Sequence, residues 1–289
     1  MRIFALELDN DIQGIPERKK YIDTLISKLP NPDLVVLPEM AVCRYMASQE
    51  AWPFADRGGR ETSAWAMEMA KKYSTCIGAG YIDREAGEYY NRYLIADGHK
   101  VYGFVSKCEG ESAVFKRGNF ESIIHTPFGS VAVGICYDSR RKHFYDKIKN
   151  EPIALILFPH GCPADPKKPQ KEIATVDSFC KKYEAAFNVP VVYVNSVGSL
   201  PFMSGRMGEL MRKHHFKMNG RSKIYCESAK PLACNVKEAI AVEVEIIPRK
   251  RCRDIRFYGD DIVKGNWLFR NLILKRDMKN GILLYEANK

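Results

Sequence analysis

The chain has 289 residues, 46% of them hydrophobic and 28% charged, a balance that excludes disordered, fibrous and collagen-like classes. Its 45 Lys and Arg against 35 Asp and Glu give a net charge of +10, which raises nucleic acid as a partner. The basic residues, however, fall in short scattered clusters (Arg140-Arg141-Lys142, Lys167-Lys168, Arg249-Lys250-Arg251) that do not alternate with aromatics, and this argues against an RNA or DNA platform.

No apolar run reaches the ~20 residues of a membrane span. The longest, Ala239–Ile247, is broken by glutamates. The opening segment Met1-Arg2-Ile3-Phe4-Ala5-Leu6-Glu7-Leu8 is too short and too acidic for a signal peptide and reads as a strand, so a cytoplasmic location is expected. The 9 cysteines are odd in number and irregular in spacing, which fits free thiols in a reducing compartment. No Cys-x-x-Cys pair occurs, and only His160 and Cys162 lie close together, so neither a metal nor a cofactor is expected.

The pattern predicts strand and helix in alternation. Ile3–Leu8 reads as a strand and Ile15–Leu29 as a helix, with Tyr21, Leu25 and Leu29 on one face. Leu34–Leu37 is a short buried strand that ends at Pro38-Glu39; Glu61–Tyr73 is a helix and Cys76–Tyr81 a strand. Tyr89–Ile95 and Val101–Val105 form a hairpin across Asp97-Gly98, and Ile123–Thr126 and Val131–Ile135 another around Phe128-Gly129-Ser130. Ala154–Phe158 is a buried strand. A long helix follows through Ile173, Val176, Cys180, Tyr183 and Phe187 to a strand at Val191–Val194. Ser222–Cys226, Pro231–Cys234 and Ala239–Ile247 close the series as antiparallel strands.

No linker divides the chain. The expected architecture is one α/β domain, residues 1–254, in which two packed mixed sheets carry helices outside: a four-layer α-β-β-α sandwich. The tail, 255–289, falls outside the alternation but carries Trp267, Leu268, Phe269, Leu272 and Ile273. Such a tail is expected to dock on the domain or on a partner subunit, covering an interface or the rim of a pocket.

Three apolar segments stop abruptly on residues with chemistry. Val131-Ala132-Val133-Gly134-Ile135 stops on Cys136, Leu34-Val35-Val36-Leu37-Pro38 stops on Glu39, and Val101–Val105 is followed closely by Lys107, with Glu111 four residues on. Open α/β sheets place their chemistry at such strand ends. Cys136 taken alone reads first as a buried core thiol, since free cysteine is among the most buried residue types. A nucleophilic thiol needs a neighbouring base or cation, and none of His99, His125, His143, His214 or His215 stands in a compelling context. Glu39 is either a surface cap or a desolvated base. A lysine beside a forming oxyanion would stabilise it as a fixed charge.

Together these segments resemble the nitrilase superfamily, the carbon–nitrogen hydrolases, from Met1 to about Asp254. Leu37-Pro38-Glu39-Met40, Lys107, Glu111-x-x-x-Phe115-x-x-Gly118 and Gly134-Ile135-Cys136-Tyr137-Asp138-Ser139-Arg140 are similar to the family's successive motifs. So are Val189–Gly198 and Gly220-Arg221-Ser222. The resemblance implies an amide or N-carbamoyl hydrolase in which Glu39 is general base and acid and Cys136 forms a thioester. It implies that Lys107 and the Tyr137 N–H hold the oxyanion, while Glu111 orients Lys107 or water. Tyr137-Asp138 is more like the amidase and carbamoylase branches than true nitrilases. Arg140 is placed like residues that grip substrate carboxylates, so a small-molecule substrate with a nearby anion is expected, and His160 is expected to line the pocket. A homo-oligomer, dimer or higher, is expected as well. Transfer to an acceptor other than water, nitrile hydrolysis and a non-catalytic binding protein are the competing readings.

The chain departs from the family pattern in three places. Arg141-Lys142-His143 stands where an aromatic-Pro-Glu turn is common, Cys108-Glu109 where a hydrophobe and His follow the lysine, and Glu184 where a helix often carries arginine.

Overall fold

A computed structural model describes residues 1–265 and 269–289. The strands that read as unbroken apolar runs do so because both of their faces are covered. In the first sheet, Arg2–Leu6, Leu34–Val36 and Cys76–Glu85 run parallel at the centre. Glu88–Ala96 and Val101–Ser106 extend it antiparallel on one side, and Ala239–Glu243 and Lys230–Pro231 on the other. The second sheet repeats this plan: Gly129–Val133, Ile153–Pro159 and Val191–Val194 are parallel, with Ile123–Thr126 and Lys223–Tyr225 as antiparallel edges.

Side chains alternate across each strand. Ile3, Ala5, Leu34 and Val36 meet Val131, Val133, Leu155, Leu157, Val192 and Val194 between the sheets. The intervening residues face outward onto helices. Phe4, Leu6, Val35 and Leu37 pack on α1 (Ile15–Ile26) and α2 (Arg60–Tyr73). Ala132, Ile156, Phe158 and Tyr193 pack on α3 (Lys142–Ile148) and α4 (Pro169–Phe187). The result is the four-layer sandwich expected from the alternation.

Several boundaries differ from the sequence reading. The second hairpin's return strand ends at Val133 instead of Ile135, because the chain must leave the sheet to turn at Cys136. The late strands are shorter: Lys223–Tyr225 and Lys230–Pro231 are sheet edges, which keep their pairing over few residues, and Ala239–Glu243 spans only the length of its partner Arg2–Leu6. A small sheet of Pro163–Ala164, Lys217–Asn219 and Val197–Ser199 carried no periodic signal. Three helices were not anticipated: α3, α5 (Gly205–Lys213), and α6 (Lys275–Asn288) within the tail.

Of the apolar tail residues, Trp267, Leu268 and the side chain of Phe269 lie outside the described residues. Leu272 and Ile273 are exposed; the tail packs inward through Ile255 and Ile262, which join the core of the second sheet, and through Gly281 and Tyr285 in its last helix. Among the described residues no helix is long and apolar enough to cross a membrane.

Candidate active site

Cys136 opens a short 3-10 turn, Cys136–Arg140, directly beyond the end of its strand. Its φ of 48° lies in the left-handed region, which costs a non-glycine residue stability and marks a turn held by its surroundings. Those surroundings are specific. Ser139 Oγ donates to the Cys136 carbonyl at 2.6 Å, and the Gly161 backbone N–H reaches the Cys136 sulfur. Asp138 Oδ2 accepts from the Cys108 N–H at 2.8 Å, which ties this turn to the residue after Lys107. Met40 (φ 50°) and Glu111 (φ 30°) are also left-handed, so such backbone recurs at each approach to the site.

Glu39 turns inward at the end of the Leu34–Val36 strand. Gly80 of the neighbouring strand makes room for it: a Cβ there would lie 2.5 Å from Met40 N and 2.7 Å from Pro38 O. Lys107 Nζ donates to Glu39 Oε1 at 2.7 Å and to Glu111 Oε2 at 2.5 Å, and all three side chains are buried. Asn91 Nδ2 adds a 2.7 Å bond to Glu39 Oε1, while Glu39 Oε2 has no partner among the described residues. Tyr45 donates its hydroxyl to Glu111 Oε1 at 2.5 Å.

Burial raises the Glu39 carboxyl above the usual carboxylate range, against the pull of Lys107. Burial also lowers the Lys107 ammonium, but Cys136 once ionised, Glu111 and Glu39 outweigh it and hold it well above its ordinary value. The Cys136 thiol is pushed up by burial and by Glu39, with Lys107 opposing. Four groups read from strand ends and the loop beyond Lys107 thus converge in one electrostatically coupled cluster: a protonated thiol, a desolvated carboxylate and an ammonium shared with a second carboxylate.

Cys136 and Glu111 open onto a cavity of about 390 Å³. Tyr137, Arg140 and Gly161 line it on one side, and residues of α5 and α6 line the other.

A family model described as carbon-nitrogen hydrolase matches residues 13–257. The chain belongs to the carbon–nitrogen hydrolase family. A curated relative, the probable nitrilase C965.09 of Schizosaccharomyces pombe, is 26% identical over 134 residues, 44% of this chain and 49% of that protein. The chain therefore spans about half the length of the curated relative it matches. The carbon-nitrogen hydrolase of Helicobacter pylori G27 superimposes with a TM-score of 0.67 at 17% identity, covering 84% of this chain and 88% of that one. A mutant amidase from Nesterenkonia sp. AN1, with acrylamide added at its active-site cysteine, superimposes with a TM-score of 0.66 at 16% identity, covering 85% and 93%. These likenesses confirm the sandwich as the fold of this carbon–nitrogen hydrolase.

The remaining expected residues sit differently around the turn. Tyr137 lines the cavity beneath the guanidinium groups of Arg140 and Arg141, each 5.4 Å from its ring. Arg140 also lines the cavity, but Asp261 engages it at 3.0 and 3.4 Å. His160 is buried behind the turn, where Nε2 meets Ser139 Oγ at 3.3 Å and the ring packs on Tyr193; it does not line the cavity. Burial, then Lys107 and Arg140, hold it far below the usual imidazole range, so it is neutral. Its contact with the turn is Ser139, whose hydroxyl holds the Cys136 carbonyl.

Two of the departures from the carbon–nitrogen hydrolase pattern touch one another. Glu109 Oε1 lies 3.4 Å from Arg141 Nε and 3.6 Å from His143 Nε2, so a new acid is matched by new bases across the gap. The basic run Arg140-Arg141-Lys142 is consumed by internal ion pairs to Asp261, Glu109 and Asp146. Asn91 and Tyr45 went unnoticed in the sequence. Asn91 had a signal, since it is a polar residue inside an apolar strand.

Proposed function

We propose that this protein hydrolyses the C–N bond of a small-molecule amide or N-carbamoyl compound through a thioester on Cys136. The observation that carries the reading is the buried Lys107 ammonium bridging Glu39 and Glu111 beside Cys136. Glu39 Oε2, which lacks a partner among the described residues, is the acceptor for the thiol proton.

As Glu39 takes that proton, sulfur bonds to the carbonyl carbon. Lys107 and the Tyr137 backbone N–H stabilise the oxyanion. Collapse breaks the C–N bond, and Glu39 returns the proton to the departing amine. Water then enters, Glu39 takes its proton, and its oxygen attacks the thioester. The second collapse releases the acid and the thiolate, which recovers a proton from Glu39. Glu111, held by Tyr45, fixes the ammonium in place. The exposed Leu272 and Leu283 support assembly with a second copy, and the free thiols support a reducing location.

Incubation with a panel of simple amides and N-carbamoyl compounds, followed by intact-mass measurement, tests this reading. An acyl or carbamoyl adduct is expected on the wild-type protein and none on Cys136→Ala, with turnover lost by at least about 10⁴-fold. Retained turnover in Cys136→Ala would sink the scheme.

A further inference from the structure

The family-matched segment ends at residue 257, yet one wall of the cavity lies beyond it. Leu274, Met278, Gly281 and Leu284 contribute from α6 and its approach. They face Met203, Met207 and Met211 on and before α5. α6 is fixed against the loop that carries Glu111. Ser112 Oγ donates to the Met278 carbonyl at 3.0 Å, and Gly281 packs so closely that a Cβ would lie 2.4 Å from Ser112 Oγ. At its far end the Tyr285 hydroxyl donates to Glu88 at 2.6 Å and accepts from the Tyr89 N–H at 2.8 Å. α5 is fixed to α6 in turn, since Asp277 accepts from the Arg206 and Met207 N–H groups at its first turn.

The charges on the cavity wall are already engaged. Arg140 pairs with Asp261, Glu111 with Lys107, and Asp277 with the start of α5. A substrate carboxylate entering here would meet methionine and leucine beside three wall carboxylates, Glu111, Asp261 and Asp277, with Arg140 as the one cation of the described lining, and would pay desolvation and like-charge repulsion. Methionine is polarisable and unbranched, so it moulds to apolar groups of varied shape. At about 390 Å³ the chamber falls within the ~300–1,000 Å³ typical of small-molecule sites and leaves room for an arm well beyond the reacting amide.

We infer that α5 and α6 form a selectivity wall that admits amides with a neutral, apolar arm and rejects those whose arm ends in a carboxylate. The inference rests on the thioester reading of Cys136.

The test compares kcat/KM for acetamide, hexanamide and the hexanamide analogue bearing a terminal carboxylate. Each buried methylene is worth roughly fourfold in binding. Hexanamide is therefore expected to exceed acetamide, and also the carboxylate analogue, by at least about tenfold. Met278→Trp, which fills the chamber, is expected to lower the hexanamide-to-acetamide ratio at least about fivefold. Met211→Ala, which enlarges it, is expected to raise the ratio for octanamide over hexanamide. Preference for the carboxylate analogue, or ratios unmoved by both substitutions, would overturn the wall while leaving the thioester chemistry standing. Absence of any Cys136 adduct across the three amides would overturn both.

Discussion

Glu39 and Cys136 stand just past the ends of strands covered on both faces, and Lys107 just past an edge strand that is buried only at its end, whereas Met207, Met211 and Met278 hang from helices that also carry Leu210, Ile282 and Leu283 in solvent. The first region is polar, buried and pinned by hydrogen bonds of 2.5 to 2.8 Å. The second is apolar and anchored at a few points, chiefly Ser112, Asp277 and Tyr285. The difference fits two tasks. Proton transfer and oxyanion stabilisation need fixed dipoles, so their groups belong on rigid elements. Discrimination among apolar arms needs only a shaped surface of the right size.

The largest expected effect lies on the strand side. Glu39→Gln keeps the hydrogen bond to Lys107 or Asn91 but removes the proton acceptor, so kcat is expected to fall by about 10²–10⁴-fold. In the wild type the base must be ionised, and burial raises its pKa, so kcat/KM should decline as pH falls through a value above the ordinary carboxylate range of about 4. A pH–rate profile in which the acid limb lies at or below that range would break the assignment of Glu39 as the buried base.

A smaller effect is expected at the joint between the regions. Gly281→Val would drive a side chain into Ser112 Oγ and toward the Ala113 backbone, 2.9 Å from the added Cβ. Overpacking of this kind costs about 1–3 kcal/mol. The melting temperature should drop by several degrees, and hexanamide selectivity should suffer more than acetamide turnover. Equal loss for both substrates would mean that α6 serves the chemistry as well as the fit.

The smallest effect concerns Asp138, which ties the Cys136 turn to Cys108. Burial raises its carboxyl to about 8, so it folds protonated where the unfolded chain has it ionised. Its contribution to stability is fully present below the unfolded pKa of about 4 and is lost as pH rises through about 8. Asp138→Asn retains an acceptor for the Cys108 N–H and cannot ionise. The gap in melting temperature, variant minus wild type, should therefore widen from pH 4 to pH 8 and then level off. A constant gap would contradict the burial of an ionisable group there.

The strand side was legible in the sequence for the same reason that it is rigid. A strand buried on both faces is a continuous apolar run, and the residue at which the run stops stands out, as Cys136 and Glu39 do. Partnerships over long separations were not legible. Arg140 announces a positive charge, but its neutralisation by Asp261 depends on a chain segment 121 residues away. Tyr45 sits in a loop without periodicity, and its bond to Glu111 is visible only when the turn after Glu39 is folded. α5 and α6 escaped because Gly205, Gly208 and Gly281 weaken the helical pattern. Gly281 proves instead to be the point of close contact with Ser112.

The Lys107 bridge has a consequence for chemical probes. One ammonium shared between two carboxylates leaves the neighbourhood of Cys136 neutral or negative, never positive. An electrophilic label or covalent inhibitor aimed at this sulfur should therefore arrive uncharged: a haloacetamide is matched to the site, whereas a haloacetate carries its own repulsion to the door.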